Sequence, residues 1–414
     1  DLMGSGFGNT LGGIGIIIVW GIVLGNLLHK SGCTEQIASL MLRATGEKRT
    51  TTAVALTGYI VSIPVFFDAA FVILINIVKQ LSRKGKIPFI TLVTALAAGL
   101  ITTHAMVIPT PGPLAVAGEM GANLAPFFVY GAIASLAGIL VAGVWYAKRL
   151  GKRPEFANDY ANDFEDEFDV DPTVETGKKP SGGLGIFLIL LPIILILIGT
   201  IGTTIAKSNT VIYDLLAFFG NKNIALMIGV IVAFLTLRSY LEQNLEEVIT
   251  DSARDAGIIF LITGAGGAFG TIINGTGIGD KIVQVIEESG MTAASATLII
   301  ILVAWFISQV LRAAQGSTTV ALITTSAILA PLVFGLNATS NAVSPVLVGL
   351  AICAGGIGIS LPNDSGYWVV NRFSKFTLKE TFAAWTIPGT ISGVTALIVI
   401  IILSFMQSFL PGLF

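Results

Sequence analysis

The run Arg312-Ala313-Ala314-Gln315-Gly316-Ser317-Thr318-Thr319 lies between two apolar stretches, Thr297 to Val310 and Val320 to Phe334. A charge at bilayer depth costs ~2.5 to 3.5 kcal/mol on insertion scales, so an arginine there is read first as functional. A guanidinium keeps its charge and presents a planar fork of donors, which suits a carboxylate or a phosphate. If one half-helix ends here and another begins, the Gly316 to Thr319 segment adds free backbone N–H groups and hydroxyls for an anion. In an empty site the arginine's partner would be Asp364, water or backbone carbonyls. The competing account is an arginine that snorkels or serves only an ion pair.

Four other polar groups fall inside apolar sequence. Asp68, in PVFFDAAF, is a candidate proton carrier or, alternatively, a helix N-cap at a turn. His104, in TTHAMVIPTPGP, titrates near neutrality and suits a proton relay, donation to substrate, or a structural hydrogen bond. Asn363, Asp364 and Ser365, in LPNDSGYW, stand where Pro362 and Gly366 break a helix, so their polar atoms can face a cavity or simply form a turn at the membrane edge. Thr110, Pro111 and Gly112 occupy an equivalent break. Gly264, Gly266 and Gly267 read as close helix packing.

The elements that must position these groups are membrane helices. Of 414 residues 54% are hydrophobic and 12% charged, against roughly a quarter charged in soluble proteins. Long apolar runs, with no alternating ten-residue strands, predict helices rather than a barrel. The net charge of −2 supplies no basic patch for nucleic acid. Cys33 and Cys353 have no metal spacing and are expected as reduced packing residues, and no cofactor is expected. No nucleotide-binding or hydrolase motif points to an enzyme.

Apolar stretches fall at about 11–28, 51–78, 88–121, 124–147, 183–206, 223–240, 257–275, 293–335, 343–370 and 383–410. The second is interrupted by Pro64 and Asp68 and has positive charge on both flanks. If positive loops stay cytoplasmic, it enters and leaves on one side, a re-entrant hairpin with its tip at Ser62 to Asp68. The stretch 293–335 is predicted as a matching hairpin from the other side, with Arg312 to Thr318 at its tip. This topology places 19 of the 23 Lys and Arg residues in inner loops and leaves Lys207, Lys222 and Lys281 outside, with Arg312 in the membrane. It also puts the C-terminus outside.

An internal repeat follows. Gly25, Leu27, Gly32 and Ile37 correspond to Gly270, Ile272, Gly277 and Ile282, and the Ile108 to Gly112 segment to Leu361 to Gly366. Each copy reads span, amphipathic linker, hairpin, broken span, final span, and the predicted crossings run in opposite senses. Inverted repeats with broken helices mark secondary transporters whose substrate site lies at the midplane. The expected organisation is a first repeat over 1–147, an acidic cytoplasmic linker over 148–182 and a second repeat over 183–414. Two spans preceding the second copy have no counterpart, which predicts that about two spans stand before Asp1. The fold class expected is an all-α polytopic membrane protein: an inverted-repeat secondary transporter with two re-entrant helical hairpins and two broken transmembrane helices.

The runs THAMVIPTPGPLAVA, ITGAGGAFG, LRAAQGSTTVALIT and LPNDSGYWVV, in this order and with TLKETFAAW at 377–385, resemble the marker segments of the gluconate permease family of the ion transporter superfamily. The likeness spans nearly the whole chain. It implies a homodimer with a scaffold domain and a mobile transport domain, importing sugar acids such as gluconate with protons. By match it points to Asp68, where members often have Glu, and to His104, the Pro109 to Pro113 break, Arg312 to Thr318, and Asn363 with Asp364. The sequence departs from the pattern at Thr110, commonly a second His, and at Ser365, often Pro, which bears on substrate identity in a family that also includes D-serine carriers.

The resulting expectation is a proton-coupled inner-membrane symporter for a small hydroxy-carboxylate. Arg312 and the Gly316 to Thr318 segment would hold the carboxylate, Ser317, Thr318 and Asn363 would meet hydroxyls, and Asp68 or His104 would carry the proton. An anion channel is the alternative from another class, since polar re-entrant loops also build filters.

Overall fold

A computed structural model describes residues 2–45, 49–157, 159–160, 179–206, 208, 210–241, 244–277, 281, 283–284, 288, 293–339 and 342–413, and every regular element among them is helical. The chain runs through α1 (Leu2–Lys30), α2 (Cys33–Thr45), α3 (Thr50–Val61), α4 (Phe67–Gly85), α5 (Phe89–Met106), α6 (Pro111–Glu119) and α7 (Leu124–Gly151). It continues through α8 (Gly182–Ile205), α9 (Val211–Gly220), α10 (Lys222–Leu237), α11 (Leu245–Gly275), α12 (Ala293–Gln315), α13 (Thr318–Asn337), α14 (Pro345–Ile357), α15 (Ser365–Phe373) and α16 (Leu378–Phe405). Eight helical segments among the described residues are long and apolar enough to cross a membrane, so the chain is a multi-pass membrane protein. Most of the acidic segment, and Lys207 and Ile282, lie outside the described residues.

The centre of the molecule is α5. It is apolar on every face and all eighteen of its residues are buried, the pattern of a helix walled in by protein rather than lipid. Around it stand α3, α4, α7, α14 and α16. Buried hydroxyls tie the layers, as where Thr102 Oγ1 lies 2.7 Å from Ser392 Oγ on α16. Cys33 and Cys353 are buried free thiols.

Neither long interrupted stretch is continuous. The first stops at Val61 and resumes at Phe67, with Pro64 in the gap, and the second stops at Gln315 and resumes at Thr318. The α5–α6 span breaks over 107–110 and the α14–α15 span over 358–364, so the order of paired helices followed by a broken span occurs twice. The arms differ in length: α3 has 12 residues, whereas α12 and α13 have 23 and 20.

Helix α1 holds the two N-terminal breaks in place. Gly21 and Gly25, one turn apart, face the carbonyl oxygens of Pro109 and Pro64, and a Cβ on Gly25 would sit 2.2 Å from the Pro64 oxygen. Small residues at this spacing let irregular backbone come against a helix without lipid between them. Helix α1 also packs along α11, where Gly264 and Gly267 lie against Phe7 and Thr10, in agreement with the packing expectation for that glycine run. At the far end of this pair Asn26 Nδ2 donates to Asp255 Oδ2 at 3.1 Å and Lys30 pairs with Asp251. The Lys30 hydrogen bond holds the Asp251 carboxyl below the usual carboxylate range.

Two regions differ from expectation. The stretch between α8 and α10, expected as an outer loop, contains α9: its apolar sequence VIYDLLAFFG is capped by the Thr210 hydroxyl and packs on α8, where Gly199 meets Gly220. Helix α11 begins at Leu245 rather than near 257, because the polar run LEEVITDSARDAG is itself helix-forming and continues out of the apolar span.

Replacing Gly25 by Ala forces a methyl onto the Pro64 carbonyl, an overpacking expected to cost ~1 to 3 kcal/mol. Thermal unfolding in detergent should show a lowered Tm for Gly25→Ala and none for Gly12→Ala, whose Cβ meets open space. Equal melting of the two would mean that α1 does not brace the break.

Candidate functional site

Three helices begin at one place. The N-termini of α4 at Phe67, α13 at Thr318 and α15 at Ser365 all line a cavity of about 190 Å³, smaller than the roughly 300–1,000 Å³ of drug-sized sites. Each N-terminus carries partial positive charge and unpaired backbone donors. Their convergence makes the cavity favourable for an anion. Phe66, the residue before α4, supplies no side-chain cap, whereas Ser317 and Asp364 cap α13 and α15.

Arg312 forms the cationic wall. It stands in the last turn of α12 and is 1% exposed. Its Nη2 donates to Asp364 Oδ2 at 2.5 Å, while Nε and Nη1 are buried with no hydrogen-bond partner. Three of its donors are therefore unequally used: one nitrogen is committed and two are free for an acceptor. Asp364 is anchored on both oxygens, Oδ1 accepting from Gly366 N at 3.0 Å and Oδ2 from the Ser360 hydroxyl as well as from Arg312. Ser360 is fixed in turn by Trp385, whose Nε1 donates to Ser360 Oγ at 2.6 Å, and by Thr386, whose hydroxyl donates to Ser360 O at 2.6 Å. The ion pair thus spans α12 and α15 and is aimed by the start of α16.

The carboxylate of Asp68 lies in the first turn of α4, on the cavity, with Ser365 Oγ donating to it over 3.4 Å. Asp68 is not an N-cap, since Phe66 holds that position. His104 closes another side. It is buried at the end of α5, its ring centroid is 5.7 Å from that of Phe66, and its Nδ1 has no hydrogen-bond partner. Ser317, Thr318 and Ser365 add hydroxyls to the wall.

Of the residues expected at the site, Asp68, His104, Arg312, Ser317, Thr318, Asp364 and Ser365 meet at this cavity. Gly316, Asn363, Thr110, Pro111 and Gly112 do not line it. Asn363 spends its amide on the C-terminal carbonyls of α12, Nδ2 donating to Ala313 O at 3.0 Å and Ala314 O at 3.1 Å. Gly316 turns the chain beside it with φ of +70°, and a Cβ there would sit 2.3 Å from Asn363 O, so only glycine fits. Thr110 donates to Val107 O at 2.5 Å across its own break, and Gly112 packs against Leu322 and Thr319 of α13. That break supports the cavity from behind. Sequence reasoning missed Phe66, Ser360 and Trp385, while Thr319, read with the Gly316 to Thr319 segment, does line the cavity. The aromatic residue beside the break and the serine four positions before Asp364 were visible signals for two of them.

A family model described as GntP family permease matches residues 1–406. The chain belongs to the GntP permease family. Among curated relatives, an uncharacterised permease of Haemophilus influenzae is 36% identical over 94% of this chain and 79% of its own length. A gluconate permease of Bacillus subtilis is 32% identical over 97% and 88%, and a high-affinity gluconate transporter of Escherichia coli K12 is 29% identical over the same shares. Two solved transporters share the fold at low identity. The YdaH transporter of Alcanivorax borkumensis has a TM-score of 0.66 at 15% identity, covering 99% of this chain and 88% of its own. The MtrF protein of Neisseria gonorrhoeae, described with a class of antimetabolite efflux pumps, has 0.68 at 16%, covering 100% and 85%. The GntP permeases are transporters, not enzymes.

Removing one partner of a buried ion pair strands the other charge, at about 3 to 5 kcal/mol, whereas replacing both by apolar residues is often tolerated. Asp364→Leu should therefore lower the melting temperature in detergent by several degrees, and Arg312→Met with Asp364→Leu should recover most of it. If the double variant melts no higher than the single one, the pair is not the dominant constraint on these helix ends.

Proposed function

We propose that this chain imports a small hydroxy-carboxylate, an aldonate such as gluconate, together with a proton across the inner membrane. The observation that carries this reading is Arg312: a buried guanidinium with two unpartnered nitrogens at a cavity on which three helix N-termini converge. Substrate carboxylate would take those nitrogens and loosen Asp364, and the hydroxyls of Ser317, Thr318 and Ser365 would meet sugar hydroxyls. The relatives named as gluconate permeases support the substrate class.

The transport cycle proposed is alternating access. The α3–α4 and α12–α13 pairs act as hairpins whose tips reach the midplane from opposite faces, within inverted repeats over 1–147 and 183–414 joined by the cytoplasmic linker 148–182. Two copies assemble as a homodimer, with the C-terminus outside. Asp68 carries the proton: it shares the cavity with the Arg312–Asp364 pair, so its negative charge opposes that of an incoming carboxylate, and protonation removes the repulsion before substrate closes the site. His104, beside Phe66, is the second candidate for the relay.

Counterflow in proteoliposomes with gluconate, other sugar acids and D-serine tests the substrate class, and imposed proton or sodium gradients test the coupling ion. Sugar acids should exchange and an inward proton gradient should concentrate them; exchange of D-serine alone would reassign the substrate. Asp68→Asn should keep exchange largely intact and abolish concentration by a pH gradient. Continued concentration by that variant would make Asp68 structural and shift the role to His104.

Lysine at 312 keeps the charge but loses the fork, worth ~1.5 to 3 kcal/mol for a charged hydrogen bond. Direct binding to purified Arg312→Lys should be about ten- to a hundredfold weaker, at ~1.4 kcal/mol per decade. Unchanged affinity would place the carboxylate elsewhere.

A further inference from the structure

A second cavity, of about 390 Å³, lies at the C-terminal end of α7 against α16 and shares no lining residue with the Arg312 site. Its wall combines three cations, Arg149, Lys152 and Arg153, with Trp145, Tyr146 and the apolar side chain of Ile391. We propose that this cavity binds the phosphate headgroup of an anionic phospholipid, with an acyl chain lying along Trp145 and Ile391.

Three observations carry the assignment. The first is charge without a counter-charge. Among the described residues none of the three cations has a carboxylate within ion-pair distance, and the nearby Glu155 pairs instead with Lys379 at 3.8 Å. Arg149 rests over the Trp145 ring, its Cζ 5.7 Å from the centroid, which orients the guanidinium without neutralising it.

The second is position. Helix α7 is a membrane-crossing segment that ends at Gly151, so the cations stand at the level where headgroups lie, and Trp145, 56% exposed, stands one turn deeper. Aromatic rings at the interface with Lys and Arg just outside them make an amphipathic wall that matches a phospholipid rather than a freely soluble anion. The third is the shape of the backbone. Helix α7 is π-helical over Leu140–Tyr146 and α16 over Phe382–Thr386, and the two wide turns meet where Tyr146 Oη donates to Ala383 O at 3.0 Å. A π turn displaces side chains from the regular helical face and occurs often at functional sites. Here Trp145 and Tyr146 of the α7 π turn both line the cavity.

The site also has a mechanical connection. The π turn of α16 ends at Thr386 and includes Trp385, which aims Ser360 at the Arg312–Asp364 pair. A lipid seated against α7 and α16 is therefore attached to the element that orients the transport site.

The test uses the full chain in nanodiscs, with phosphatidylcholine alone or with phosphatidylglycerol carrying brominated acyl chains, and reads quenching of tryptophan fluorescence against a Trp145→Phe reference. Wild type should show Trp145 quenching that saturates at a low mole fraction of phosphatidylglycerol. At about fivefold per surface cation, Arg149→Gln with Lys152→Gln and Arg153→Gln should weaken it by about a hundredfold. A control with Arg83→Gln, Lys84→Gln and Lys86→Gln, which removes three cations elsewhere, should leave it unchanged. Inorganic phosphate at millimolar concentration should not compete. Equal loss in the control variant would reduce the effect to general surface charge, and full displacement by phosphate would make the site one for a soluble anion; either overturns the proposal. Equal quenching by brominated phosphatidylcholine would also overturn it.

Discussion

The buried pair between Arg312 and Asp364 is the constraint on which the rest of the structure depends. A guanidinium with almost no exposure, between apolar stretches, requires an anion, and the anion must come from a segment that is itself free of regular helix. That requirement places the start of α15 against the end of α12. The Gly316 turn then forms beside Asn363, the amide of Asn363 closes the last turn of α12, and Trp385 reaches across from α16 to hold Ser360 against the same carboxylate. Each of these contacts links segments that are distant in sequence, so the pair acts as a junction of α12, α15 and α16 rather than as one local bond.

A junction of this kind is suited to a carrier because it is unequally satisfied. Asp364 has partners on both oxygens, while Arg312 has spare donors. In the proposed cycle an entering carboxylate would compete for the arginine without a new charge being buried alone, since the site already contains a cation prepared by the fold. The geometry links occupancy to the two helix ends that the pair joins. On the opposite wall Asp68 and His104 supply ionisable groups on α4 and α5, which belong to the first half of the chain. The cavity is thus lined by residues from both halves of the chain.

Much of this was legible in the sequence because membrane helices leave few alternatives. Arg312 and Asp68 were conspicuous as charges in apolar runs, and Pro64, Pro109, Gly316 and Pro362 marked the breaks to within a few residues. Positive charge on both flanks of 51–78 signalled a paired segment. What could not be read was set by packing between distant segments. Nothing local in TLKETFAAW says that Trp385 donates to Ser360, and nothing in TTHAMVIPTPGP says that Thr110 closes its own break instead of facing the cavity. Asn363 was read as a cavity residue because an amide at a break has two possible uses, and the nearby carbonyls of Ala313 and Ala314 decided between them. Helix α9 was invisible because its ten residues, apolar apart from Asp214, are too few for a span and are flanked by Lys207 and Lys222, as a loop would be.

The low identity to YdaH and MtrF shows how little of the scaffold depends on particular residues, since the fold persists at 15% and 16% identity. The most direct measurement is an experimental structure of this chain with gluconate bound. The account predicts the carboxylate within hydrogen-bond distance, roughly 3 Å, of the Arg312 guanidinium and within the shell formed by the starts of α4, α13 and α15. Gluconate bound elsewhere, with the Arg312–Asp364 pair unchanged and no oxygen of the ligand near it, would contradict it.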